Sequence, residues 1–256
     1  INQSINLTTE QIRFLSDRRF GIGFDQLLLV ERPRSTQVAF RYRIFNADGS
    51  EVEQCGNGAR CFARFVTNKG LTQKAEIPVE TEGGDIILRI QKDGQVTVNM
   101  GIPKLEPKDL PFKADERKLT HLLRVDGEDI PITAVSMGNP HAVTIISDVV
   151  TAPVSWLGPK IEKHDLFPRR VNAGFMEIVT RDHIRLRVYE RGAGETLACG
   201  TGACAAVVAG RLLEKLDNQV CVSLSGGDLQ IQWNGEGAPV MMTGPAEEVF
   251  EGQIEL

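Results

Sequence analysis

Two cysteines in this chain stand in matching surroundings. Cys55 opens the stretch Cys-Gly-Asn-Gly-Ala, and Cys199 opens the stretch Cys-Gly-Thr-Gly-Ala. Glycines at the start of a helix leave backbone N–H groups exposed where the helix dipole is positive, and this suits a carboxylate ligand. The same field lowers the pKa of a thiol from about 8.5 to a range of roughly 3.5–7.5. We therefore expect a thiolate near neutral pH beside an anion site at each helix start.

Such a pair of thiols predicts a proton transfer that inverts a carbon centre. If both thiols flank one bound carboxylate substrate, one sulfur removes the α-proton and the other returns a proton to the opposite face. The spacings C-x-x-C and H-x-x-x-H, which are typical of zinc ligands, do not occur in the sequence. His141 follows Gly-Asn-Pro, and the sequence is equally consistent with a turn residue and with an active-site residue at this position. Cys61, Cys204 and Cys221 do not recur in the other half, and we interpret them as small buried hydrophobic residues.

The two cysteine stretches belong to a longer internal repeat. Two arginines and a glutamate precede each cysteine at the same spacings, and a polar residue, Asn46 or Glu190, recurs between them. They are Arg41, Arg43 and Glu51 in the first copy, and Arg185, Arg187 and Glu195 in the second. A strand-like segment precedes each cysteine and a helix-like segment follows it. The repeat predicts two similar halves, each presenting one thiol at the start of a helix.

The elements around the cysteines predict an α+β fold. We expect two pseudosymmetric domains, each a mainly antiparallel sheet or barrel wrapped around one central helix. The first domain is expected to span residues 1–99, joined by a C-terminal strand at about 245–256. The second is expected to span residues 100–244.

Three local features accompany this fold prediction. The proline-spaced, charged stretch Pro103–Lys118 predicts a linker or domain crossing. A helix is expected over Val154–Lys163, with an interruption at Gly158-Pro159. A final strand over Ala246–Phe250 is expected to return to the first domain.

Composition excludes several classes of protein. The chain has 256 residues, of which 41% are hydrophobic and 25% charged, with a net charge of −5. Dispersed basic residues and a negative net charge argue against nucleic-acid binding. No apolar run approaches the roughly 18–20 residues that a membrane span needs. Five cysteines, an odd number in a chain of this size, favour a reducing compartment. We therefore expect a cytoplasmic protein without nucleic-acid or membrane partners.

Several segments closely resemble the diaminopimelate epimerase family, and the similarity follows the whole chain in order. They are Phe45–Ser50, Gln54–Cys61, Ser136–His141, Tyr189–Thr196 and Ala198–Gly202. The resemblance implies an epimerase that needs no cofactor or metal and interconverts LL- and meso-2,6-diaminopimelate. It places this reaction in the synthesis of lysine and peptidoglycan precursors. It also implies a homodimer of two-domain chains, with a small amino-acid substrate bound in the cleft between the domains.

The resemblance also implies roles for individual residues. Cys55 and Cys199 match the two catalytic thiols, while His141 and Glu190 match residues that support proton transfer. The residues whose backbone matches the carboxylate-holding groups are Gly56, Asn57, Gly200 and Thr201. The residues that match side chains binding the amino groups and the distal carboxylate are Gln26, Asn46, Asn139, Asn172, Glu190 and Arg191.

The chain departs from the family pattern at two places. The family opens with a strand and a Gly-Asn-Asp-Phe turn, which this sequence does not contain. Gly23-Phe24 echoes Gly174-Phe175, and on that spacing the counterpart of Gly138-Asn139 would fall before Ile1. We therefore expect the chain as written to have an incomplete active site that lacks one substrate-binding asparagine. Phe250 stands where the family commonly has a tyrosine at the dimer contact.

Two other functions remain open from the residues. A proline or hydroxyproline racemase of similar fold would not need the amides and the arginine for a distal carboxylate. A non-catalytic amino-acid-binding protein would not need two thiols.

Thiols that flank one carbon are also expected to form a Cys55–Cys199 disulfide on oxidation, with loss of activity.

Overall fold

The structure of the protein is a computed structural model that describes residues 5–52 and 55–255. Ile1 and Gln54, both used in the sequence analysis, lie outside the described residues. The chain divides into two compact units. The first contains the described residues up to Asn99 together with those from Gly244 onward, and the second contains Met100–Thr243.

The first unit is built around one long helix. Its helices are α1, Thr9–Ser16, and α2, Gly56–Asn68. Its strands are β1, Gln26–Glu31, β2, Phe40–Asn46, β3, Glu51–Val52, β4, Glu76–Thr81, β5, Gly84–Ile90, and β6, Val96–Asn99. The strand order is β1-β2-β4-β5-β6, with β3 paired to β2. Strands β2 and β4 are parallel and the other neighbours are antiparallel. Helix α2 packs against β1, β5 and β6.

The second unit repeats this plan with additional strands. A 3-10 turn at Pro107–Asp109 precedes β7, His121–Val125, β8, Glu128–Ser136, and β9, Pro140–Ile146. The elements that follow are α3, Val154–Glu162, β10, Asn172–Thr180, β11, His183–Glu190, β12, Gly194–Thr196, α4, Gly200–Leu212, β13, Gln219–Leu224, β14, Gly227–Trp233, and β15, Val240–Gly244. The strand order is β15-β14-β13-β11-β10-β9-β8-β7, with β12 paired to β11. Only the β9–β10 and β11–β13 pairs in this order are parallel among the described residues.

Helix α4 is the central helix of the second unit. Its side chains from Ala203 to Ala209 are alanine, valine and one cysteine, and all of them are fully buried. A helix that is apolar on every side is stable only inside a core. It packs against β8, β9, β10, β11 and β14. The α+β fold class, with sheets around central helices, is therefore confirmed.

The repeated charges tie each cysteine loop to the strand before it. Arg43 donates two hydrogen bonds to Glu51, each 2.7 Å long. Arg187 donates two to Glu195, at 2.6 and 3.0 Å. These bidentate pairs join β2 to β3 and β11 to β12. The repeated arginines and glutamates thus have a structural role, because each pair joins the two strands that precede a cysteine.

The strand register corrects the predicted echo between Gly23-Phe24 and Gly174-Phe175. Glu31 lies opposite Arg41, and Glu177 lies opposite Arg185, so β1 corresponds to the first part of β10. On this register Gln26 corresponds to Asn172. Gly174-Phe175 lies inside β10, whereas Gly23-Phe24 precedes β1. A two-residue match is too short to fix a strand register.

Two local predictions in the second unit are wrong. The stretch Pro103–Lys118 is part of the core of this unit, because Leu110 and Phe112 are buried. The ring of Phe112 stacks on that of Phe167, with centroids 4.6 Å apart. The helix predicted over Val154–Lys163 is present as α3, but it continues through Pro159 without the predicted interruption. Its buried residues, Leu157 and Ile161 among them, pack into the core and offset the hydrogen bond that proline cannot donate.

The predicted final strand is also wrong in type. Residues 246–250 are irregular, and the side chains of Val249 and Phe250 are exposed. Side-chain contacts hold the segment to α2 in place of a strand pairing. Glu248 accepts a hydrogen bond from Asn68, and Glu251 pairs with Lys69. Within the described ranges, no helix is long and apolar enough to cross a membrane.

Candidate active site

Cys199 lies at the N-cap of α4 and is almost fully buried. Gly202, one turn later, allows the helix to start close to β11. A Cβ atom at Gly202 would lie 2.9 Å from Val188 Cγ2 and 3.2 Å from Cys199 Sγ. Gly202 therefore has a packing role, in addition to the role predicted for the glycines of exposing backbone N–H groups.

The thiol of Cys199 donates a hydrogen bond to a carboxylate. Its Sγ lies 3.1 Å from Glu190 Oε2, while Glu190 Oε1 accepts from the hydroxyl of Thr196. Burial, and then the negative charge of Glu190, raise the pKa of Cys199 well above its ordinary value. The expectation of a thiolate at this helix start is therefore wrong. Burial and the carboxylate raise the pKa of Cys199 more than the hydrogen bonds from Thr201 and from the N–H of Gly202 lower it, so Cys199 is a protonated thiol.

A chain of polar side chains leads away from Cys199. Thr201 Oγ1 lies 3.6 Å from the sulfur and accepts a hydrogen bond from Asn139 Nδ2 at 3.3 Å. Asn139 Oδ1 in turn lies 3.1 Å from His141 Nε2, so the histidine donates to it. Burial, and then the positive charge of Arg191, lower the pKa of His141 to about 3. His141 is therefore neutral at physiological pH, and its ring N–H donates the hydrogen bond to Asn139.

Asn172 and Arg191 form a second group of predicted site residues. The buried amide of Asn172 donates to the carbonyl of Pro140 at 3.1 Å and accepts from the backbone N–H of Arg191 at 2.8 Å. The side chain of Arg191 is exposed and donates one bond, at 3.3 Å, to the carbonyl of Arg169. Most of its guanidinium donors are thus oriented toward solvent, and such a group can bind a carboxylate through two hydrogen bonds.

Cys55 occupies the equivalent position in the first unit, at the N-cap of α2. Its sulfur accepts a hydrogen bond from the backbone N–H of Gly58 at 3.5 Å. The N–H groups of Gly56 and Asn57 are among those that an α-helix cannot bond internally. In unit two the same applies to Gly200 and Thr201.

Amides replace the carboxylate on the Cys55 side. Gln26 Nε2 donates to Asn46 Oδ1 at 3.1 Å, and Asn46 stands at the repeat position of Glu190. The side chain of Asn57 accepts from Arg60 at 3.1 Å. Both sulfurs have a hydrogen bond from the backbone N–H of the glycine three residues later, but among the described residues only Cys199 also has a carboxylate beside it.

Sequence reasoning missed two residues near the thiols. The hydroxyl of Thr196 donates to Glu190 Oε1, the carboxylate oxygen that does not contact Cys199. Thr196 lies in the motif that carries the family resemblance, and this position could have indicated a role. The hydroxyl of Tyr42 is buried and has no hydrogen-bond partner among the residues that the structure describes. Burial raises the pKa of Tyr42, with a smaller electrostatic contribution from the neighbouring Cys55. The second half of the repeat has Leu186 at the corresponding position, and this difference between the halves could have drawn attention to Tyr42.

None of the five cysteines forms a disulfide in this structure. Of the three interpreted as buried hydrophobic residues, Cys204 is buried, whereas Cys61 is exposed and Cys221 is partly exposed, so that interpretation is wrong for these two. The described part of the chain contains no group of three or more His, Cys, Asp or Glu residues arranged to hold a metal ion. The predicted site residues within the two units carry thiols, amides, one carboxylate, one imidazole, one arginine and backbone N–H groups.

Solved structures with a similar fold span nearly the whole chain. A phenazine biosynthesis protein of the PhzF family from Bacillus anthracis has a TM-score of 0.64 at 17% identity, over 93% of this chain and 85% of its own. A hydroxyproline epimerase from Agrobacterium vitis has a TM-score of 0.62 at 14% identity, over 92% and 76%. A probable proline racemase from Agrobacterium radiobacter K84 has a TM-score of 0.66 at 17% identity, over 97% and 81%. At these identities the likeness establishes the fold alone.

The sequence itself matches a family profile over most of its length. The profile of diaminopimelate epimerase covers residues 2–106 and 133–249. These two ranges contain both cysteine stretches and all the residues of the two polar groups described above. The chain therefore belongs to the diaminopimelate epimerase family, a family of isomerases.

Proposed function

We propose that this protein is a cofactor-independent diaminopimelate epimerase that interconverts LL- and meso-2,6-diaminopimelate. The observation that carries the proposal is the hydrogen bond from the Cys199 thiol, at a helix start, to Glu190, which Arg191 with its exposed side chain directly follows in the chain. A substrate with a carboxylate at each end matches this combination. The helix start suits the reacting carboxylate, and Arg191 suits the distal one.

The proposed reaction moves one proton off the α-carbon and another onto it. The thiolate of one cysteine takes the α-proton, so the C–H bond breaks and its electron pair stays on the substrate. The thiol of the other cysteine then delivers a proton to the opposite face and becomes a thiolate. In the resting protein Cys199 carries the proton, because burial and Glu190 hold it as a thiol. In this proposal Cys199 is therefore the acid of the first turnover.

Backbone and side-chain donors supply the charge stabilisation that this step needs. The electron pair left by the α-proton spreads into the substrate carboxylate. In the proposal the N–H groups of Gly56, Asn57, Gly200 and Thr201 bind that carboxylate, and fixed donors stabilise developing charge without having to reorganise. Neutral His141 orients Asn139 through their hydrogen bond.

Amides and one carboxylate bind the substrate's amino groups in this proposal. These residues are Gln26, Asn46, Asn139, Asn172 and Glu190. Buried groups that expect a hydrogen-bonding partner reject ligands lacking it, so they would discriminate against simple aliphatic acids.

The proposal includes a cellular setting. The protein acts in the cytoplasm, supplies meso-diaminopimelate for lysine and peptidoglycan precursors, and forms a homodimer with Phe250 in the contact surface. The exposure of Phe250, at 72%, is compatible with such a contact.

The test is α-proton exchange in heavy water, followed by NMR with the full-length protein. Three substrates are compared: LL-diaminopimelate, L-proline and trans-4-hydroxy-L-proline. We expect exchange and epimerisation of diaminopimelate alone. Turnover of proline or hydroxyproline in its place would make the protein a racemase of that class. Binding of diaminopimelate without exchange would make it an amino-acid-binding protein.

A further inference from the structure

Helix α3 ends in a buried carboxylate that the proposed reaction does not use. Glu162 is only 3% exposed. A carboxylate at such a position is stable only when other groups compensate its charge. Its charged neighbour is Arg170, whose Nη1 lies 3.5 Å from Oε1 and whose side chain is 55% exposed. This contact is too long and too solvated to account for the burial.

The shorter contact of Glu162 is with the turn between β11 and β12. Its Oε1 accepts a hydrogen bond from the backbone N–H of Gly192 at 2.9 Å. Gly192 has φ of +78° and follows Arg191 directly. The turn is closed by a bond from Ala193 N–H to the carbonyl of Glu190 at 3.2 Å. The carboxylate therefore binds the turn that carries both Glu190 and Arg191.

Two successive N–H groups of this turn are held by fixed side chains. Arg191 N–H bonds to Asn172 at 2.8 Å, and Gly192 N–H bonds to Glu162. The acceptors are themselves joined, because Val171, the neighbour of Asn172, donates its N–H to the carbonyl of Glu162 at 3.1 Å. Helix α3 also packs tightly below the turn, since a Cβ at Gly158 would lie 2.6 Å from Tyr189. The direction of Arg191 out of the turn is thus set by α3 and the start of β10.

In the first unit, two side chains attach helix α1 to the turn after β2, and neither is a carboxylate. Ser16 Oγ lies 2.9 Å from the carbonyl oxygens of both Ala47 and Arg13, and Arg13 Nε donates to the carbonyl of Asp48 at 2.8 Å. Ala47 stands at the repeat position of Arg191. A buried carboxylate is therefore not required to attach the helix to the turn. The buried carboxylate occurs in the unit whose turn carries an arginine.

We propose that Glu162 is a positioning residue, which fixes Arg191 through the Gly192 N–H so that the guanidinium can bind the substrate's distal carboxylate. This inference rests on the proposed function. A charge-assisted hydrogen bond is stronger than a neutral one, so its loss allows the turn to move. Glu190 is held independently by Thr196 and Cys199. Loss of Glu162 therefore weakens substrate binding more than it slows proton transfer.

The test compares Glu162→Ala, Glu162→Gln and a matched control, Glu177→Gln. Glu177 also accepts a backbone N–H, that of Val149 at 2.9 Å, and pairs with an arginine at 3.3 Å, but it lies away from the turn. We expect Glu162→Ala to raise KM for diaminopimelate about tenfold with kcat within about threefold of the parent. Glu162→Gln, which retains an acceptor oxygen, should raise KM about threefold, and Glu177→Gln should leave it unchanged.

A second readout follows the turn without substrate. Amide hydrogen exchange of the peptide containing Gly192 should be faster in Glu162→Ala than in the parent, and unchanged in Glu177→Gln. If Glu162→Ala does not fold, Glu162→Gln decides alone, and a KM equal to that of the parent overturns the inference. An equal rise of KM in Glu177→Gln also overturns it. A parent without activity on diaminopimelate overturns the proposed function, whereas an active parent with unchanged KM in Glu162→Ala overturns this inference alone.

Discussion

The two thiols differ at the scale of single residues, and the carboxylate beside Cys199 helps to keep that thiol protonated. Cys199 donates to Glu190, whereas Cys55 accepts from Gly58. Glu190→Gln removes the negative charge and the strongest acceptor beside Cys199, so the pKa of that thiol should fall. We expect alkylation of Cys199 by iodoacetamide at pH 8 to become at least several-fold faster, as measured by peptide mass spectrometry. Cys221, on β13, provides the internal reference, and an unchanged ratio of the two rates would contradict this assignment.

His141 should make stability depend on pH. Its pKa is about 3 in the folded protein and about 6.5 when unfolded, so below pH 6.5 the unfolded chain binds more protons. The stability is complete above the unfolded pKa and is lost as pH falls. Between pH 7 and pH 5 this one group lowers the free energy of unfolding by roughly 2 kcal/mol. Denaturant titrations of the parent and of His141→Gln at both pH values measure it. Identical pH dependence in the two proteins would be the contrary result.

Contiguous motifs allowed most of the candidate site to be predicted from the sequence. Cys199, Glu190 and Arg191 lie within one stretch, and the structure brings the first two into hydrogen-bond contact. The proton state of Cys199 could not be predicted, because it depends on burial by elements distant in the sequence. Glu162 was missed for the same reason, since its contact with Gly192 exists only once α3 packs beside the β11–β12 turn.

At the scale of elements, the start of α4 has no room for an added methyl group. Gly202→Ala would place a Cβ 2.9 Å from Val188 Cγ2 and 3.2 Å from Cys199 Sγ. Val188 is buried and β-branched, so its side chain cannot rotate away at low cost. We expect a loss of about 1–3 kcal/mol in unfolding free energy and more than a tenfold loss of epimerase rate. Gly252→Ala, where no atom lies within 4 Å, is the control. A fully active Gly202→Ala would show that the helix start tolerates displacement.

Element types followed from local patterns, and the errors arose where tertiary packing overrode them. Pro103–Lys118 has the composition of a linker, but Leu110 and Phe112 insert into a core that only later strands complete. Ala246–Phe250 has strand-like residues, but it follows Pro245 and is fixed by side-chain contacts to α2. The internal repeat was visible because each copy keeps its bidentate arginine–glutamate pair.

For the whole molecule, the proposed homodimer predicts a particle of twice the 28.2 kDa chain mass. Val249 and Phe250 are 86% and 72% exposed, which is unusual for neighbouring large apolar side chains. Phe250→Asp should shift the full-length protein toward monomer in light scattering coupled to size exclusion, because a charge is costly in an apolar contact. Asp85→Ala, at an exposed position on β5, serves as a surface control. A dimer that persists in Phe250→Asp at the same concentration would exclude this residue from the contact.

The central claim is that inversion needs both thiols, one from each copy of the repeat. Its most direct measurement is the epimerisation of LL-diaminopimelate in heavy water by the parent, Cys55→Ala and Cys199→Ala, with Cys221→Ala as control. Each single variant should keep its fold by circular dichroism and lose epimerisation, because either the base or the opposing acid is missing. The control should match the parent. Epimerisation within tenfold of the parent rate by either Cys55→Ala or Cys199→Ala would contradict the two-thiol account.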